Sequence, residues 1–237
     1  MADLNFQVED LPEEFKPFGH LRIGFIRKVY GILSFQLSFT LLFSIFAMMI
    51  PSLATFLQQS SGLLILASVL SIAILIPLLC CKEFARQVPT NYILLSIFTI
   101  CEAYMVATTC SIYDPMTVVI AASMTLGVTL VLTAYAYTTQ HDFRVPSAIG
   151  IVLLSSLILF VVFAGIFGLG GAFEVVWCTL GVITYGMYLV IDTQMIADGS
   201  KHGLTVDDYI IGALMLYVDI IGLFLYLLRL LENVRRN

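Results

Sequence analysis

Three carboxylates interrupt long apolar stretches of this chain: Glu102, Asp192 and Asp219. Asp219 stands at the middle of the run from Tyr209 to Leu230, which is about as long as the roughly 20 helical residues that cross a bilayer. A charged, unpaired carboxylate at that depth costs at least ~2.5 kcal/mol, so such residues mark ion pathways, proton relays or buried partners rather than packing. At 1.5 Å per helical residue, Glu102 lies ~16 Å and Asp219 ~15 Å from the start of their runs, and Asp192 lies ~8 Å from the end of its own. The three are expected to form a ladder of acids descending from one membrane face.

No Lys, Arg or His lies deep in any apolar run, so pairing with an internal base is excluded. The remaining partners are a shared proton, backbone or hydroxyl donors, or a bound cation. Two neighbouring carboxylates that share one proton make a pH sensor. Ca²⁺, which prefers oxygen ligands, can take the proton's place, so Asp192 and Asp219 are also candidate metal contacts. Each acid has a structural alternative. Glu102 can serve as a protonated helix-to-helix donor, and Asp192 as a loop or water contact near an interface. Asp207 and Asp208 open the last run, where negative charge suits a helix N-terminus, and where Asp207 could draw cations to a pore mouth. Glu174 reads as an interfacial cap.

The elements that must position these acids are transmembrane. Hydrophobic residues make up 60% of the 237 and charged residues 11%, against about 25% charged in a soluble domain. Apolar runs fall at 29–50, 62–79, 91–112, 116–137, 146–169, 172–196 and 209–230. Pro51, Pro89, Pro115 and Pro146 lie at their edges, and Pro77 is placed to kink the end of the second. The connections are short. The expected fold is an all-α polytopic membrane helical bundle, with six crossing helices plus a seventh central helix that spans or re-enters. A cytosolic N-terminal tail (1–28), one transmembrane domain (29–230) and a basic C-terminal tail (231–237) complete it. Met1 to Lys16 is polar and acidic, so no cleavable signal is expected.

Basic residues precede the first run (Arg22, Arg27, Lys28) and occupy alternate loops (Lys82 and Arg86, Arg144, Lys201), whereas the loops around 52–61, 113–115 and 168–172 hold none. The positive-inside rule therefore puts the N-terminus in the cytosol. Arg229, Arg235 and Arg236 oppose that pattern if the last run crosses, and obey it if the run re-enters. Among the five cysteines (80, 81, 101, 110 and 178) there is no CxxC pair, so they read as small buried hydrophobes. Cys80 and Cys81 carry a weak palmitoylation signal. His20, His141 and His202 lie in separate connections, which argues against a metal cluster.

At these residues the chain resembles the transmembrane Bax inhibitor motif family. The resemblance rests on Arg27-Lys28-Val29-Tyr30, on Phe98 to Ala103 around Glu102, on Tyr188 to Gln194 around Asp192, and above all on Tyr217 to Arg229 around Asp219. Within the family it is most similar to the Golgi anti-apoptotic branch, which has cellular and poxviral copies. The resemblance implies a Golgi membrane protein, shared with the endoplasmic reticulum, that leaks Ca²⁺ from stores and suppresses apoptosis. It implies that Asp192 and Asp219 form a proton-sensitive pair, and that Asp207 and Asp219 take part in conduction. A bacterial relative latches its aspartate to an arginine on the second span. No arginine lies in that run here, so the latch is not carried over.

The leading expectation is a non-enzymatic cation leak channel with Ca²⁺ as permeant ion and no cofactor. Its expected partners are the bilayer, Ca²⁺ and H⁺, and a second copy or apoptosis-regulating membrane proteins, but no nucleic acid. A proton-coupled transporter and a non-conducting adaptor are the alternatives. An intramembrane aspartyl protease would carry Tyr-Asp and Gly-x-Gly-Asp signatures, but Ile191 precedes Asp192 and Val218 precedes Asp219. Seven-span receptor motifs are also missing.

Overall fold

The computed structural model describes residues 17–139, 172–197 and 204–236. The expected span at 146–169 and the first sixteen residues lie outside them. The described residues form α1 (Pro17–Met49), α2 (Pro51–Gln59), α3 (Ser61–Cys80), α4 (Lys82–Arg86), α5 (Thr90–Cys110), α6 (Pro115–Thr138), α7 (Ala172–Ala197) and α8 (Tyr209–Arg236). Six of these, all but α2 and α4, are long and apolar enough to cross a membrane.

The last helix is the hub. Its apolar residues run almost all round it, the pattern of a helix enclosed by others. Accordingly, 72% of its apolar stretch is buried, against 17% in lipid-facing α3. α8 also crosses completely. Its start is tied by Asp208 to Arg86, ahead of α5, and its end by Arg235 to Asp114, beyond α5. The 21 residues of α5 separate those ends by about 30 Å. The choice between spanning and re-entry is thus settled for spanning, and Arg229 and Arg235 sit at the end opposite Arg22 and Arg86. Gly222 does not break the helix. It makes room for a ring.

α7 and α8 pack antiparallel through a reciprocal exchange of rings. Tyr226 of α8 lies against Gly181 of α7, and Tyr185 of α7 lies against Gly222 of α8. The two tyrosine rings are 5.6 Å apart at their centroids. Each glycine thus lets a partner ring reach the backbone, the role small residues play between membrane helices.

α1 buries one stripe, Phe25, Val29, Leu33, Gln36, Thr40, Ser44 and Ala47, at steps of three and four that define one helical face. Its inner half is polar. Gln36 Nε2 donates to Thr99 Oγ1 of α5 at 2.9 Å. Thr40 Oγ1 donates to the Gln36 carbonyl, which leaves it to accept from the Tyr217 hydroxyl of α8 at 2.8 Å. Tyr217 is fully buried and meets Phe98 edge to face, with centroids 6.1 Å apart. These bonds fix α1 against both neighbours in register.

Other local expectations shift. α1 starts at Pro17, well ahead of the apolar run, and the stretch expected as a loop at 52–61 contains α2, whose Pro51 stands where a helix needs no amide donor. Pro77 lies inside α3, which continues to Cys80. Cys101, Cys110 and Cys178 are buried as expected, but Cys80 and Cys81 are exposed where α3 ends.

Candidate functional site: a buried carboxyl pair

Asp192 on α7 and Asp219 on α8 meet in the interior. They are 6% and 5% exposed, and their side chains lie within reach of one shared proton. Counting residues puts these two ~7 Å apart in depth, and the helix register gives a similar offset. The register that seats Gly212 near Ile196 and Gly222 against Tyr185 leaves Asp219 about three to four residues, or ~5 Å along the axis, from the level of Asp192. Two carboxyl side chains close that gap.

A hydrogen bond between two carboxyl groups exists only while one of them keeps its proton, because a carboxylate has no donor. Asp219 Oδ2 is buried and, among the described residues, accepts from no N–H or hydroxyl donor. An unsatisfied buried acceptor is costly and invites a donor or a cation. Neither α7 nor the stretch Tyr209–Leu228 contains a Lys or Arg, so proton loss would leave two like charges facing each other between the two helices. Tyr185 and Tyr188 of α7 lie within electrostatic range of Asp219. The pair is therefore a two-state element. With its proton it joins α7 to α8; without it, repulsion acts across the same contact.

The other two expected site residues lie apart from the pair. Glu102 on α5 accepts from Ser71 Oγ of α3 at 2.5 Å, so its hydroxyl partner comes from the neighbouring span. Asp207 is exposed at the bundle end. Its neighbour Asp208 is the engaged acid, 2% exposed, and it stands at the start of α8 as expected, its carbonyl accepting from the Gly212 amide. It accepts from Arg86 Nε at 2.8 Å, and from the amide and hydroxyl of Thr205 at 3.1 and 2.7 Å. Two carboxylates supply at most four oxygens, fewer than the six to eight that Ca²⁺ takes. Among the described residues no group of three His, Cys, Asp or Glu could hold a metal.

Sequence reasoning missed three basic clasps. Arg22 donates to the carbonyls of Leu204, Met195 and Ile196 at 2.6, 2.9 and 2.5 Å. It thereby closes the C-terminal end of α7, where orphan carbonyls and the helix dipole favour a cation. Arg86 binds Asp208, and Arg235 binds Asp114 at 2.6 Å and Thr117 Oγ1 at 2.9 Å. Only the last had a legible signal. Asp114-Pro115 is the order of a helix cap followed by a first-turn proline, and Asp114 does cap α6, accepting from the Thr117 amide.

Six described membrane-length helices around a buried carboxyl pair define a multi-pass membrane protein. The model of the family described as "Inhibitor of apoptosis-promoting Bax1" matches residues 22–236. The chain is 32% identical over 223 residues to human (Homo sapiens) "Protein lifeguard 3", covering 90% of this chain and 70% of that protein. It is 35% identical over 216 residues to a "BI1-like protein" of Arabidopsis thaliana, covering 90% and 82%. With "Protein lifeguard 4" of Mus musculus the identity is 33% over 218 residues, covering 92% and 88%. The chain belongs to the transmembrane Bax inhibitor motif family, and its coarse function is that of an anti-apoptotic membrane protein.

Proposed function

We propose that this protein is a cation leak channel that lets Ca²⁺ out of intracellular stores, and that the proton shared by Asp192 and Asp219 regulates it. The observation that carries this reading is the buried carboxyl pair between α7 and α8, whose Asp219 Oδ2 accepts from no N–H or hydroxyl donor among the described residues. Holding the proton keeps the two helices joined. Releasing it, or replacing it with a passing cation, biases α8 toward a different packing. Glu102 and Asp207 stand at two other positions from which a cation could be drawn. The assigned activity is transport, with no catalytic step and no resident cofactor. Lower store Ca²⁺ is the route by which the protein would restrain cell death. The Golgi, together with the endoplasmic reticulum, is the proposed location, with the N-terminus in the cytosol.

The test is Ca²⁺ flux through purified protein in liposomes, with wild type and Asp219→Asn compared across a pH series. Flux that needs Asp219 and shifts with pH supports the channel. Flux that follows an imposed proton gradient strictly would point to a coupled transporter. No flux from folded wild type, with protection from cell death intact in Asp219→Asn, overturns the channel and leaves an adaptor.

A further inference from the structure

α3 ends in two adjacent cysteines, Cys80 and Cys81, and both are exposed, whereas Cys101, Cys110 and Cys178 are buried. Ile65, Val69, Ile72 and Ile76 of the same helix are each more than half exposed. They follow one another at steps of four, three and four, and Cys80 stands four residues after Ile76, so the five positions share one helical face. Ser71, Ile74 and Leu78 form the buried face opposite, from which Ser71 donates to Glu102 of α5. Cys80 thus closes a lipid-facing stripe rather than a packed one.

Depth puts this thiol at a membrane boundary. The 20 residues of α3 rise ~30 Å, which matches the roughly 30 Å thickness of the hydrocarbon core. With Ser61 at one edge of the core, Cys80 lies at the other, and the exposed Lys82 follows on the water side. Cys81 has already left the helix, with φ -112° and ψ 93°, so the pair stands where regular backbone ends. The starts of α1 and α8 lie at the same boundary. Arg86 of α4 binds Asp208 there, and Arg22 binds the carbonyl of Leu204. With that face in the cytosol, as proposed above, both thiols meet the bilayer and the acyl-coenzyme A of the cytosol together. A juxtamembrane cysteine of this kind is an acceptor for reversible S-palmitoylation.

We propose that Cys80, with Cys81 as a second acceptor, carries a long-chain fatty acyl group delivered from acyl-coenzyme A by a membrane acyltransferase. In the net reaction a bond forms between Sγ and the acyl carbonyl carbon as the bond from that carbon to the coenzyme A sulfur breaks. The cysteine proton ends on the released coenzyme A thiol, and nothing is oxidised or reduced. The chain turns back into the bilayer along Ile76, Ile72 and Val69, so no helix has to move. This site does not depend on the ion-leak reading, but it rests on the proposed sidedness.

The test uses the full chain expressed in cultured animal cells. Free thiols are blocked in denaturant, thioesters are cut with neutral hydroxylamine, and the released thiols take a polyethylene glycol maleimide that shifts the band on a gel. Wild type should show a hydroxylamine-dependent shift. Cys80→Ser should lose most of it, and the Cys80→Ser, Cys81→Ser double variant all of it. Both side chains are exposed, so neither substitution opens a cavity. No shift in wild type, or a shift that persists in the double variant, would overturn the site. A larger loss in Cys81→Ser than in Cys80→Ser would overturn the preference for Cys80. Sidedness is read separately, from Gln87→Cys in a background with the native cysteines replaced. It should react with an impermeant maleimide from the cytosolic face of sealed vesicles. With that labelling in place, a missing shift counts against acylation alone; without it, sidedness and acylation fall together.

Discussion

Tyr226 occupies the space into which a side chain at Gly181 would have to grow. The two last helices therefore meet ring to backbone, at a distance that only glycine permits. Gly181→Ala should force the ring aside and destabilise the bundle by about 1–3 kcal/mol. Gly127→Ala on α6, where an added methyl meets nothing within 4 Å, should be neutral or stabilise by up to ~1 kcal/mol through helix propensity. Unfolding in detergent, followed by circular dichroism, separates the two.

A protonated carboxyl group should be visible directly. Infrared difference spectra of the wild type should contain the carbonyl stretch of a neutral acid, and the Asp192→Asn, Asp219→Asn double variant should lose that band. An unchanged spectrum would place the proton elsewhere, with Glu102 and its Ser71 partner as the next group to substitute.

Asp208 gives the bundle an acid-sensitive clasp. Burial alone would raise its carboxyl, but Arg86 and the amide and hydroxyl of Thr205 outweigh burial and hold it below the usual carboxylate range. The native state thus keeps this charge at pH values where the unfolded chain takes up a proton. Stability from the clasp is complete above an ordinary aspartate pKa of ~3.9 and fades as pH falls through the lower native value. Unfolding free energy should therefore show a fall below about pH 4 that Asp208→Asn lacks. At neutral pH that variant should cost about 1–3 kcal/mol.

Arg22 acts as a fork on three carbonyls, a geometry that a lysine ammonium cannot reproduce. Arg22→Lys should therefore lose most of the effect despite keeping the charge. Hydrogen exchange should speed up at the last turn of α7 and at Leu204, and change little at Tyr217.

The crossing of α8 predicts sidedness. In a background with the native cysteines replaced, Gln87→Cys and Val234→Cys should react with an impermeant maleimide from opposite faces of sealed vesicles. Labelling of both from the same face would restore the re-entrant path.

The acids themselves were legible in the sequence, because a carboxylate within an apolar run is conspicuous whatever surrounds it. Their mutual arrangement was only half legible. Counting from segment ends put Asp192 and Asp219 within ~7 Å of each other in depth but could not set them face to face, because the antiparallel register is fixed by Gly181, Gly212 and Gly222, whose neighbours come from other parts of the chain. The same holds for the last helix. Basic-residue counting pulled its tail toward the first membrane face, but that rule carries no information about Asp114, which awaits Arg235 at the other end. Arg22 and Arg86 counted only as topology markers, since carbonyls and turn hydroxyls leave no trace in a sequence. Gln36 drew no attention because one amide in an apolar helix is ordinary until its partner on another helix is known.

The polar seam of α1 has a consequence for biogenesis. Gln36, Thr40 and Ser44 belong to α1, which leaves the ribosome before α5 and α8, yet Thr99 lies 63 residues and Tyr217 177 residues downstream. Until those partners arrive, the Thr40 and Ser44 hydroxyls are satisfied by carbonyls of α1 itself, but the Gln36 amide must be held in lipid or against a chaperoning surface, since hydrocarbon offers it no hydrogen bonds. Insertion of the first span and its docking are therefore separate events, and docking must wait for synthesis of the last helix. A chain truncated before Tyr217 should leave the first helix inserted but undocked, exposed to the quality-control machinery of the membrane.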